Sequence, residues 1–296
     1  MANTTWNSQP SASSDAEFRA WGSAMSAALA AVGMVQTADT GQINWTTVTR
    51  PSTSSIGGYE VWRFPSSLHS TSPLYVKISY GTSTGATIPR YDIQTGSGTD
   101  GAGTLNGTTT TAYSATPLAA QAASLTSYMS CDGDGLAIMM WPQSSQLSLR
   151  RFTCIERIRD SAGVAYSKAW FHATWDMSSN GYFRVGDSDT NTAWNSGFYA
   201  PCAIPQSAVT AGQSYLYSGN TLSMAWQPGT RRMIGTSKMA LTYAYTDEPS
   251  VGTGVVVTHC GAARTYVAGG SNMSPAVNWN QGAQSYQWSG LMWWTD

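Results

Sequence analysis

After Gly41 this chain breaks into short runs of β-branched and aromatic residues, each bounded by Pro, Ser or Gly. Strands at such short spacing, with turn residues between them, indicate an antiparallel sandwich or barrel-like fold. The clearest run is Leu74-Tyr-Val-Lys-Ile-Ser-Tyr80, which sets Leu74, Val76, Ile78 and Tyr80 on one face and Tyr75, Lys77 and Ser79 on the other. Further strands are expected at Gln42–Val48, Gly58–Phe64, Ile88–Thr95 and Thr104–Ser114. Gly135–Trp141 and Arg150–Arg159 read as paired core strands, followed by Val164–Ala173. The second half adds Tyr182–Val185, Thr221–Trp226, Met239–Thr246, Gly254–Thr258 and Thr265–Ala268, and a Trp-rich tail from Trp279 to Trp294. Pro117–Tyr128 is Ala-rich and reads as a short helix or a crossing loop.

One helix is expected, at about 15–32. Ser14 stands at the N-cap with Glu17 three residues on, the spacing of a capping box. Phe18, Trp21, Met25, Leu29 and Val32 recur at helical spacing, and Gly33 is a natural stop. Two readings stay open: a helix laid on its own β domain, or one bundled with symmetry mates. The fold class is thus mainly β, an antiparallel sandwich or barrel-like body with one N-terminal amphipathic helix. Residues 1–40 read as an arm and helix for attachment or oligomerisation, and 41–296 as the body. A division of that body near 173–196, its longest irregular polar stretch, is left open.

Charge is scarce. Lys plus Arg number 15 and Asp plus Glu 16, so 10% of the chain is charged, against about 25% in an ordinary soluble domain. Ser, Thr, Gly and Asn take those places, and the formal net charge is −1. A surface so flat in potential suits a protein packed against its own copies or against carbohydrate. Lys77, Lys168 and Lys238 are scattered, and Arg150-Arg151 and Arg231-Arg232 are isolated pairs. A nucleic-acid partner, which needs a basic stripe, is therefore not expected. No apolar run is long enough to cross a membrane as a helix. Met1–Trp6 lacks the features of a secretory signal, so synthesis and folding in a cytosol are expected. Cys131, Cys154, Cys202 and Cys260 lie far apart, as buried free thiols would.

Catalytic sets are hard to assemble. His69, His172 and His259 have no G-x-S-x-G elbow to serve, although His172 and Asp176 could meet. Of the glutamates Glu17, Glu60, Glu156 and Glu248, the first is engaged as a cap. Glu156 is expected to pair with the arginines around it (Arg151, Arg157, Arg159). Asp187, Asp189 and Asn191 match the first ligand positions of an EF-hand loop, but its Gly and bidentate Glu are missing, so no metal site is expected. Asp132-Gly-Asp134-Gly reads as a turn with Asx capping, and Gly96–Gly103 as a flexible hairpin turn. No enzyme activity and no cofactor is expected.

The aromatics remain. Trp numbers 13 and Tyr 15, too many for one core to absorb comfortably. Phe18, Trp21, Met25, Leu29, Trp288, Trp293 and Trp294 are the interface candidates, and Trp170, Trp175, Trp194 and Tyr199 the candidates for stacking on a sugar.

Three segments then resemble a recurring block of tailed-bacteriophage virion proteins: Gly58-Tyr-Glu-Val-Trp-Arg-Phe64, Leu74-Tyr-Val-Lys-Ile-Ser-Tyr-Gly81, and the Gly-rich stretch from Tyr91 to Gly107. Upstream, Asp15-Ala-Glu-Phe-Arg-Ala-Trp-Gly22 and Val35–Trp45 are similar to the same proteins, so the resemblance covers roughly 14–110. It implies a virion structural component of the tail tip, baseplate or fibre, with a capsid decoration protein as an alternative. It carries no catalytic residues across. The expected partners are copies of the chain itself, a trimer being the usual fibre solution, other virion proteins and a host surface glycan. The virion, assembled in the host cytoplasm, is the expected location. A carbohydrate-binding receptor-recognition module is the competing reading.

Overall fold

The computed structural model describes residues 1–83, 87–106, 113–115, 125–142, 151–159, 164–176, 181–187, 194–195, 215–216, 220–227, 230–245, 254–259, 262–271 and 287–295. Among these the chain is mainly β, with antiparallel sheets and one helix near the N-terminus. Strand β1 (Ala2–Ser8) precedes helix α1 (Asp15–Ala31). A five-stranded sheet follows in the order β2-β3-β4-β5-β8, built from Val35–Gln36, Ile56–Arg63, Tyr75–Thr82, Pro89–Gly96 and Tyr113–Ala115. Between its last two strands, β6 (Gly98–Thr99) and β7 (Leu105–Asn106) form a small ribbon.

The largest sheet has nine strands. Its main path runs β1-β9-β10-β11-β12-β13-β14, with β9–β14 at Leu125–Cys131, Gly135–Pro142, Arg151–Arg159, Ala165–Asp176, Gly181–Asp187 and Trp194–Asn195. The hairpin of β16 (Asn220–Gln227) and β17 (Thr230–Ser237) joins it through β11. The remaining strands make a second five-stranded sheet in the order β15-β18-β21-β20-β19: Tyr215–Leu216, Ala240–Tyr245, Gln287–Thr295, Ala262–Ser271 and Gly254–His259.

The helix begins as expected. Ser14 Oγ accepts from the Glu17 amide at 3.2 Å, but the Glu17 carboxylate reaches past the N-cap to the Ser13 amide (2.9 Å) and Ser11 Oγ (2.6 Å). Gly33, at φ 86°, takes the left-handed turn that ends it. Of the two readings of its apolar face, the structure shows the helix laid on its own sheets. Phe18, Trp21, Met25 and Leu29 join one buried cluster with Trp62, Val76, Ile78 and Tyr80 of the first sheet and Leu125, Met129, Ile138 and Ile155 of the large one. Trp21 meets Tyr80 edge-on with ring centroids 6.0 Å apart. The N-terminal segment is accordingly part of the body: β1 pairs with β9 from Ala2↔Cys131 to Ser8↔Leu125.

One expected strand is absent. Gln42–Val48 is a strap of turns crossing the first sheet, not an extended strand. Asn44 Oδ1 accepts from the Thr46 amide, an Asx turn, and Trp45 folds inward over the sheet. The Trp45 ring lies 4.8 Å from Tyr80 and 5.7 Å from Phe18. Gly22 makes room for it: a Cβ there would lie 1.9 Å from Trp45 Cη2. Gly22→Ala should therefore cost about 1–3 kcal/mol by overpacking, read as a lowered urea midpoint with a shifted tryptophan emission.

Candidate functional site

Three polar clusters stand out against so uncharged a background, and each ties one part of the chain to another. The first surrounds Glu60 on β3, which is 1% exposed. Its Oε1 accepts from Trp45 Nε1 (2.9 Å), and its Oε2 accepts from Trp62 Nε1 (3.1 Å) and Tyr80 Oη (2.7 Å). Three aromatic donors from the strap, β3 and β4 thus converge on one carboxylate. Burial foremost, then the Glu60 carboxylate, pushes the Tyr80 hydroxyl well above its ordinary pKa, so it stays a donor. The set holds its members in place; every named donor is spent inside the protein.

The second cluster clamps the Gly-rich turn. The Asp39 carboxylate accepts from Thr99 Oγ1 and from the Gly103 amide (2.9 Å). Burial pushes Asp39 up, but these hydrogen bonds outweigh it and leave the group below the usual carboxylate value. Lys77 Nζ donates to the Gly103 carbonyl (2.7 Å) and sits 4.4 Å above the Tyr59 ring. Tyr59 Oη lies 2.6 and 2.9 Å from the carbonyls of Thr40 and Ala102. Gly103, at φ +86°, leaves no space for a side chain, since a Cβ would fall 2.2 Å from Tyr59 Cζ. The turn expected to be flexible is pinned from three sides.

The third cluster joins all three large sheets. Arg157 Nε donates to Asp134 Oδ1 (3.1 Å), and its Nη2 donates to the Ser72 carbonyl in the loop before β4. Ser66 Oγ donates to the same Asp134 oxygen (2.5 Å). A register shift between Arg157 and Arg159 turns the second arginine toward Glu156 (2.6 Å) and Asp132 (2.7 Å). Glu156 also accepts from the backbone amides of Lys238 (2.9 Å) and Met239 (3.2 Å) between β17 and β18. Burial opposes the Arg159 charge, but the Glu156 and Asp132 carboxylates more than offset it and raise its pKa. The expected pairing of Glu156 with an arginine is therefore present, with Arg159. The Asp132–Asp134 turn keeps its Asx bond (Asp134 amide to Asp132 Oδ1, 3.0 Å) and serves this junction as well.

The other sequence candidates fall as follows. Phe18, Trp21, Met25 and Leu29 are at most 2% exposed, so they pack inside the chain and are not a surface for another subunit. Trp294 is half-buried, 5.7 Å from the Tyr128 ring, and its carbonyl accepts from Asn3 Nδ2 (2.6 Å). Trp288 and Trp293 lie on β21, Trp170 and Trp175 on β12, Trp194 on β14, and Asp187 ends β13; their side chains lie outside the described set. Tyr199, Asp189, Asn191, Cys202, Cys260 and Glu248 lie outside the described residues altogether. His172 and Asp176 share strand β12, four residues apart, and their side chains also lie outside the described set. His69 packs edge-on against Tyr75 (5.7 Å) and Cys131 is a buried free thiol, pushed by burial to about 12. Among the described residues no three His, Cys, Asp or Glu side chains are grouped to hold a metal, and no helix is long and apolar enough to cross a membrane.

Sequence reasoning missed the three clusters as clusters. Glu60 gave one signal, a lone acidic residue in the aromatic strand Tyr59-Glu-Val-Trp62. Compared with family models, curated proteins and solved structures, the chain matches none.

Two outcomes follow from this chemistry. Glu60→Leu leaves the Trp45, Trp62 and Tyr80 donors without an acceptor and should cost about 2–4 kcal/mol in chemical denaturation. His69 has its pKa lowered, by burial foremost and then by Arg63 and Arg157. The unfolded chain therefore takes up this proton first as pH falls below about 6.5, and stability declines from there toward the folded value. Denaturation midpoints measured across that range should slope downward with acid, and His69→Gln should flatten the slope.

Proposed function

We propose that this chain is a structural component of a bacteriophage virion, associated with the tail tip, baseplate or fibre, oligomeric, and contributing to assembly and host attachment. The observation that carries the reading is the coincidence of the phage-like block with the interlocked first half of the fold. Glu60, Trp62, Lys77, Tyr80 and Gly103 all belong to that block, and all serve to hold strands, strap and turn together. Those residues do mechanical work on the fold, each engaged in a contact within the chain. The scarcity of charge supports the same reading. A chain with net charge −1 and 10% charged residues can lie against its own copies without like-charge repulsion.

Labelling of phage particles with an antibody against this protein tests the proposal. Decoration of the tail tip or fibre in electron micrographs is the expected result. Absence of the protein from purified particles would overturn it, and decoration of the head would move it to the capsid.

A further inference from the structure

Sheet edges are where a β protein invites another strand, and this fold blunts most of its edges. In the two five-stranded sheets, β2, β8 and β15 are two or three residues long. In the large sheet β14 has two residues, and β16 is twice interrupted by register shifts. Strand β1 is polar, and Asn3 ties it to Trp294. Strand β19 is the exception. It runs six residues, Gly254-Val-Val-Val-Thr-His259, and pairs among the described strands with β20 alone. It contains no Lys, Arg, Asp, Glu or Pro, the residues that usually protect an edge. Val256 is 68% exposed, the most exposed large hydrophobic side chain described.

We propose that β19 is an assembly edge, pairing antiparallel about a two-fold axis with β19 of a second copy. Centring the axis on Val256 sets Val256 opposite its own equivalent, Val255 opposite Val257 of the second copy, and Gly254 opposite Thr258. Every one of those pairs is uncharged, and β-branched residues across from one another favour pairing. A second copy is the occupant the charge pattern selects. A charged strand would find no counter-charge on β19, whereas the uncharged strand is complementary to itself. The pairing would join two five-stranded sheets into one continuous sheet. Six residues a side bury less than the roughly 1,600 Å² of a standard interface, so the contact is weak between free copies and strengthens when other contacts hold copies together.

The inference deepens the assembly-subunit reading by naming a contact surface, but it stands on strand geometry alone. Sedimentation velocity over a rising concentration series, up to about 200 μM, reads it directly. The wild-type chain should self-associate, Val256→Thr should keep that behaviour, and Val256→Lys should weaken it at least about tenfold by opposing two like charges. The substituted side chain points into solvent, so far-UV circular dichroism and the thermal midpoint should match wild type. Should Val256→Lys fail to fold, Val256→Cys gives a second reading, since oxidation should yield a dimer cross-linked from position 256 to position 256. Association that survives Val256→Lys, or cross-links that map elsewhere, would overturn the edge while leaving the virion reading intact. A wild-type monomer throughout the series would also overturn it, and particle labelling decides the virion reading separately.

Discussion

The architecture hangs on the buried ionic junction where Arg157 and Arg159 meet Asp132, Asp134 and Glu156. Each large sheet contributes something to it. The nine-stranded sheet supplies β11 and the β9–β10 turn, the first sheet supplies Ser66 and Ser72, and the last supplies its entry at Lys238 and Met239. Removing one member of such a set orphans a charge away from water and is strongly destabilising. Replacing the whole set with apolar groups is often tolerated. The junction therefore specifies which loops meet more than it adds net stability. Asp132, Asp134, Glu156, Arg157, Arg159 and Lys238 make up this junction in a chain with only 15 basic and 16 acidic residues. Six of the chain's 31 charged residues are thus paired with one another at a single junction.

The Glu60 set works at a smaller scale by the same logic. A carboxylate that satisfies two indoles and a phenol fixes the rotamers of three large rings at once, and large rings fixed in place define a core. Trp45 is the member that matters for topology, because it brings the strap between α1 and β3 down onto the sheet. The helix then packs on the same aromatic floor, with Gly22 shaped to the Trp45 ring.

Local chemistry was legible and long-range chemistry was not. The helix could be read because Ser14, Glu17 and the apolar spacing are all local, and β4 because Val76, Ile78 and Tyr80 alternate onto a buried face. Gln42–Val48 misled because its apolar residues are half-buried as a strap, with Trp45 held by Glu60, fifteen residues downstream. Strand β1 was invisible because Asn, Thr and Ser at an edge carry no hydrophobic period; only Ala2 and Trp6 touch the core. The apolar helix face read as a subunit interface because a sequence does not say which surface covers a stripe. The turn Asp132–Asp134 was legible as a turn, but its arginine partners lie more than twenty residues away.

Strand order in the last sheet carries a kinetic consequence. β21 lies in its middle, between β18 and β20, although it comes last in sequence of the five. Until residues near 287 have left the ribosome, β18 and β20 have no common neighbour, and the sheet exists only as separate pieces. Chains are made at about 5–20 residues per second, and non-local β pairing is slow in itself. The first sheet, local in sequence, can close while synthesis continues, but the last one waits for β21. The β19–β20 hairpin is local and can pair before β21 is made, so its uncharged valine-rich edge is present while the sheet is still incomplete.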